Sequence, residues 1–172
     1  NILDVKYVSD LCQKYNSFFH TDAVQAVGHY KIDLKSINID FLSSAAHKFH
    51  GPKGVGFTYI NKSTKIKSFI CGGPQERGLR AGTESVHNIV GMTKALEIAD
   101  KNMEQEAKHV LSIKEYMIDN LRKLFPDIHF NGESGDIKNS TYTILNVCLP
   151  ISNDKAAMLD FNLDLKGIAC SR

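Results

Sequence analysis

The hydrophobic period of this chain changes near residue 85, and that change limits what it can fold into. From Ser85 to Phe125 apolar residues recur at helical spacing almost without a break, among them Val86, Ile89, Val90, Leu96, Val110 and Ile118. The run is longer than an average helix, so two helices or one kinked helix are expected, breaking between Asp100 and Met103. Pro126 then ends it, because proline has no N–H to continue the ladder.

Before residue 85 the apolar runs are short. Val5, Val8, Leu11 and Cys12 fit a first helix reaching about Tyr15. "SFFHTD" reads as a buried strand, "DFLSSAA" as a second, "VGFTYINKST" as a third and "KIKSFIC" as a fourth. The segment "AVQAVGHYKIDLKSINI" connects the first two, with a short helix or turn interrupted by Gly28. After Pro126, "DIHFNG", "STYTILNVCLP" and "GIACS" read as strands, with a short helix over "DKAAMLDFNL". Helix, strand, connector, strand implies an α/β layered domain, followed by a distinct α+β segment.

Composition excludes several classes. The 172 residues are 42% hydrophobic and 23% charged with a net charge of +2, which is ordinary for a globular protein and gives no bulk attraction to nucleic acid or membrane. No apolar run approaches the roughly 20 residues of a membrane helix. Cys12, Cys71, Cys148 and Cys170 have no CxxC spacing, so they are read as reduced thiols in a cytoplasmic protein. The chain begins at Asn1 directly before a helix and ends on an apolar run, so it is expected to be cut at both ends.

Ligands of open α/β sheets sit beyond the carboxyl ends of the strands. "FFHTDAVQ" places Asp22 at such an end with Gln25 three residues on, and "SSAAHK" places His47 and Lys48 at the next. Either the four converge on one crevice, or Asp22 merely caps a turn and Lys48 is solvated. "GPKGVG" lacks the Walker spacing and precedes a strand, so it is a turn with Lys53 facing solvent. "GGPQERGLRAGT" combines Arg77, Arg80 and Thr83 with flexible backbone N–H groups, a plausible anion site. The histidines show no metal-ligand spacing. His20 and His50 are candidates to line the crevice, but core or surface roles are expected for them as for the rest. "NKSTKIKS" is read as a solvated basic turn.

"FHTDAVQAVG", "SSAAHKFHGPKGVG" and "GGPQERGLRAGTESV", in this order and spacing, resemble the pyridoxal-phosphate core of the cysteine desulfurases, within the class-V aminotransferases. "NVCL" and "GIACS" fit the same family. The resemblance implies the fold type I of pyridoxal 5'-phosphate-dependent transferases. Residues 1–100 would then be the C-terminal half of the large cofactor-binding domain, and residues 101–172 part of the small domain. It implies a Schiff base on Lys48, pairing of Asp22 with the pyridine nitrogen, Gln25 on the phenolic oxygen and His47 near the phosphate. Thr83 would reach the phosphate of a partner subunit's cofactor in a homodimer.

The implied substrate is L-cysteine, with sulfur passing to an acceptor such as an iron–sulfur scaffold or a thiolation partner. A selenocysteine lyase, an aminotransferase or a non-catalytic module keeping only the fold are the alternatives. The family's serine three residues before the lysine is Ala45 here, which costs on the order of 1–2 kcal/mol of phosphate binding. By the same resemblance the nucleophilic cysteine and the carboxylate-binding arginine lie beyond Arg172. The ring-stacking histidine lies before Asn1. The chain by itself is therefore expected to be inactive, with Cys170, Cys71 and Cys148 as core thiols.

Overall fold

A computed structural model describes residues 1–171, which divide into two compact units, residues 3–107 and residues 1–2 with 108–171. The first unit opens with α1 (Val5–Lys14), which begins where the Asp4 carboxylate accepts the Tyr7 N–H at 2.9 Å. One face of α1 places Val8 and Cys12 against the core and buries Ser9, whose hydroxyl donates to the Asn38 carbonyl at 2.9 Å. Leu11, expected on that face, is exposed with Tyr7 and Tyr15.

The first unit holds a three-stranded sheet in the order β1 (His20–Asp22), β2 (Phe41–Ala45), β3 (Gly56–Ile60). β1 runs parallel to β2 with Asp22 opposite Ser43, and β3 runs antiparallel to β2 with Gly56 opposite Ala45. Asp40 clamps the end of the sheet where β1 and β2 begin. Its carboxylate accepts the Phe19 N–H at 2.8 Å and the Thr64 hydroxyl at 2.7 Å, while its carbonyl accepts the Asn61 N–H at 2.9 Å. β1 is shorter than "SFFHTD" and is an edge strand of the described sheet, with His20 and Asp22 exposed. "KIKSFIC" forms no strand: residues 65–71 are irregular, and Phe69 is 98% exposed.

The core of this unit joins Phe19, Val27, Ile39, Leu42 and Phe49 to Ala99 of α2 (Val86–Leu124), with Met92, Ala95 and Leu96 of that helix packed on it. α2 is one continuous helix of 39 residues. The expected break between Asp100 and Met103 does not occur, because "DKNMEQEAK" contains no proline or glycine to interrupt the ladder. Gly91 lets α2 pass close to the Gly51–Pro52 turn, where an added Cβ would come within 2.8 Å of Pro52.

Gly28 is buried at φ +85°, and a Cβ there would lie 2.6 Å from the Phe49 Cβ. Gly28→Ala should therefore destabilise the protein by roughly 2–5 kcal/mol, combining a left-handed backbone penalty with overpacking. Thermal or urea unfolding checks this. A change below about 0.5 kcal/mol, the range of ordinary surface substitutions, would contradict the close packing.

The second unit pairs β4 (His129–Phe130) with β5 (Val147–Cys148) in antiparallel register, so "STYTILNVCLP" yields a strand only at residues 147–148. Lys114 of α2 is 5% exposed and donates to the Ser140 hydroxyl at 2.6 Å and the Thr141 carbonyl at 2.8 Å, holding the loop that leads to β5. Burial pulls its pKa below the ordinary lysine value, and the Asp136 carboxylate opposes that shift. The Arg122 guanidinium lies 5.3 Å from the centre of the Phe130 ring.

"DKAAMLDFNL" forms two short helices, α3 (Asn153–Ala157) and α4 (Leu159–Asp164), interrupted at Met158. "GIACS" is irregular and exposed rather than a strand, and Cys170 is exposed rather than buried, as are Cys71 and Cys148. A strand needs a neighbour to take its N–H and C=O groups. Among the described residues, none pairs with 167–171.

Candidate active site

Because β1 and β2 are parallel, their carboxyl ends lie at the same end of the sheet. β1 ends at Asp22, and the chain enters a tight turn in which Ala23 O accepts the N–H groups of Ala26 and Val27, both at 2.9 Å. Gln25 is exposed on that turn. The Ala23 N–H donates to the Ser43 carbonyl at 2.9 Å, tying the turn to β2. Asp22 does cap this turn, since its Oδ1 accepts the Val24 N–H at 2.9 Å, and it also stands exposed at the strand end.

β2 ends at Ala45 and passes into a single 3-10 turn, Ala46–Phe49, that carries an exposed His47 and a half-buried Lys48. This turn is anchored from inside. Ala46 is fully buried, its N–H donates to Val55 O at 3.0 Å, and its carbonyl accepts the Gly51 N–H at 2.9 Å. His50 closes it in the left-handed region at φ 65°. The Lys48 carbonyl accepts the His29 Nε2–H at 3.1 Å, so the turn after β1 touches the turn after β2 directly. His29 has no metal-ligand spacing and was expected in a core or surface role. No pattern in the chain signals this bond, which joins residues 19 positions apart.

Four of the five expected residues thus lie on two adjoining turns at one sheet end: Asp22 and Gln25 on the first, His47 and Lys48 on the second. The fifth, Thr83, lies exposed on the glycine loop before α2. That loop is closed by Gln75, whose Oε1 accepts the Gly82 N–H at 3.1 Å. Glu76, Arg77 and Gly78 all have left-handed φ angles, of 46°, 58° and 79°. For the two residues with side chains this backbone stores about 1–2 kcal/mol each.

Neither nearby serine replaces the hydroxyl absent at Ala45. Ser43 Oγ lies 2.9 Å from His20 Nε2, so its hydroxyl is engaged on β1. Ser44 is buried on the other face with its hydroxyl unpartnered. A groove of about 450 Å³ in the first unit is lined by Val27, Gly28, Leu42, Phe57 and Leu96, and neither Asp22 nor Lys48 borders it. Among the described residues no cluster of three or more His, Cys, Asp or Glu side chains is placed to hold a metal. No helix there is long and apolar enough to cross a membrane.

A carboxylate and an amine stand at the ends of neighbouring parallel strands, the end of an open α/β sheet beyond which ligands characteristically sit. The pattern of the class-V aminotransferases matches residues 1–171, and the chain belongs to that family. It is 42% identical over 164 residues to a protein named cysteine desulfurase IscS of Clostridium botulinum, a match covering 95% of this chain and 41% of that protein. Among solved structures it is similar to one described as a NifS-like protein, with a TM-score of 0.88 and 38% identity over 99% of this chain and 45% of that one. It is also similar to one described as SspA in complex with cysteine, with a TM-score of 0.68 and 28% identity over 92% of this chain and 42% of that one. The chain has the fold of the pyridoxal-phosphate transferases of type I, and it spans 41% of the length of the IscS relative.

Proposed function

We propose that the protein containing this chain is a cysteine desulfurase dependent on pyridoxal 5'-phosphate, converting L-cysteine to L-alanine and passing the sulfur to an acceptor protein. The observation that carries this is the parallel pairing of β1 with β2, which sets Asp22 and Lys48 on adjoining turns at one sheet end. The donor set suits that cofactor. A carboxylate matches a protonated pyridine nitrogen, an amide a phenolic oxygen, an imidazole a phosphate, and a primary amine an aldehyde. When bound, the cofactor supplies a ring that withdraws electrons from the substrate α-carbon.

The chain's own residues do the rest. Asp22 would accept the pyridine N–H and favour the positive charge there. Gln25 would hold the phenolic oxygen. His47 would bind the phosphate, and Thr83 would contribute to the phosphate site of a partner subunit. The Lys48 amine would hold the cofactor through its aldehyde and, when free, would move the substrate α-proton as general acid and base. We further assign residues 1–100 to the large domain and residues 101–172 to the small one, in a cytoplasmic homodimer serving iron–sulfur assembly or thiolation. The similarity to proteins named cysteine desulfurase, and to one solved with cysteine, supports this choice of substrate.

Incubating the gene product with pyridoxal 5'-phosphate, reducing with borohydride and mapping the adduct by mass spectrometry should place the label on Lys48. A separate, unreduced sample supplied with L-cysteine and a reducing thiol should release alanine and sulfide in equal amounts, the thiol providing the two electrons that take the transferred sulfur to sulfide. A label on Lys53, or no label, removes the basis of the proposal. Labelling of Lys48 with transfer of the amino group instead of sulfide release would make the enzyme an aminotransferase.

A further inference from the structure

Lys48 sits in a four-residue 3-10 turn, a conformation with poor hydrogen-bond geometry that needs outside support. Inside the turn, the N–H groups of His50 and Gly51 both go to the Ala46 carbonyl. The carbonyl of Lys48 is among those at the C-terminal end of the turn that must find partners elsewhere. His29 provides one at 3.1 Å. Since a carbonyl can only accept, the imidazole must carry its proton on Nε2. Next to it in sequence, Gly28 packs against Phe49, the residue after Lys48, so closely that a Cβ would come within 2.6 Å of the Phe49 Cβ. The two contacts fasten the turn bearing Gln25 to the turn bearing Lys48.

We propose that His29 is a positioning residue: its Nε2–H holds the Lys48 peptide so that the lysine amine and the Asp22 carboxylate address the same ligand. This rests on the reading of Lys48 as the cofactor-bearing lysine, and it adds a residue that does not itself touch the cofactor.

Three forms of the gene product are compared: wild type, His29→Leu, which loses the donor, and His29→Gln, which keeps an amide N–H near the position of Nε2. Hydrogen exchange is measured first, without cofactor. In His29→Leu the amides of His50 and Gly51 should exchange about five- to tenfold faster, the effect of one net hydrogen bond, and in His29→Gln within about twofold of wild type. Labelling of Lys48 by pyridoxal 5'-phosphate and borohydride should slow by a similar factor in His29→Leu and recover in His29→Gln.

If His29→Leu does not fold, His29→Asn replaces it, since the shorter amide falls short of the carbonyl. Unchanged exchange and labelling without the donor overturn the proposal. Failure of His29→Gln to restore them also overturns it, by showing that ring packing and not the N–H matters. If wild-type label appears on a different lysine, the cofactor reading fails and takes the functional role of His29 with it. The exchange data separate that outcome from a failure of the clamp itself.

Discussion

Lys48→Ala is expected to abolish covalent labelling at position 48 and to lower sulfide release from L-cysteine by at least about 10²–10⁴-fold, the range contributed by a positioned acid–base group. The true loss should exceed this, because the same amine is also assigned to hold the cofactor. The substitution leaves the anchors of the turn intact. Ala46 N–H still donates to Val55 O, and the backbone carbonyl at position 48 still accepts from His29. A folded Lys48→Ala protein with more than about a tenth of wild-type turnover would be incompatible with the assigned role. Lys53 provides the control. It lies exposed in the turn before β3 beside Gly54, where an added Cβ would meet nothing within 4 Å, and Lys53→Ala should change neither labelling nor turnover.

Asp22→Asn should cost about 10- to 150-fold in turnover, from the roughly 1.5–3 kcal/mol of a hydrogen bond to a charged partner. The asparagine oxygen can still accept the Val24 N–H that Asp22 Oδ1 accepts at 2.9 Å. The turn is therefore retained while the charge assigned to the pyridine nitrogen is removed. Unfolding and turnover measured together separate the two roles of Asp22. A variant with lowered stability and normal turnover would reduce it to a turn cap. Normal stability with slowed turnover and a shifted cofactor absorbance is the expected result.

The strand ends that carry the candidate residues were legible in the sequence. "FFHTDAVQ" and "SSAAHK" each pair a short apolar run with a chemically active terminus, and the strand ends lie where the runs place them. The first helix was equally plain, because Val5, Val8, Leu11 and Cys12 fall at helical spacing. Other features depended on neighbours. "KIKSFIC" and "GIACS" have the composition of strands, but strand propensity expresses packing against a partner, and none pairs with them among the described residues. The unbroken α2 was hidden by a base rate: average helix length argued for a break that no residue between Asp100 and Met103 could impose.

Residue types and their order by themselves determined which groups this chain brings to its chemistry: a carboxylate, an amide, an imidazole and an amine at successive strand ends. They also placed a glycine loop ahead of a long helix. Only the tertiary structure decided that β1 and β2 run parallel, which puts Asp22 and Lys48 at the same end of the sheet. It alone decided that Ser43 is engaged by His20, that Ser44 is buried, and that His29 reaches the Lys48 carbonyl. The physical reason is range. Side-chain chemistry and local period are written in neighbouring residues, whereas strand direction and hydrogen bonds between distant residues arise from burying Phe49, Leu42 and Phe19 in one core.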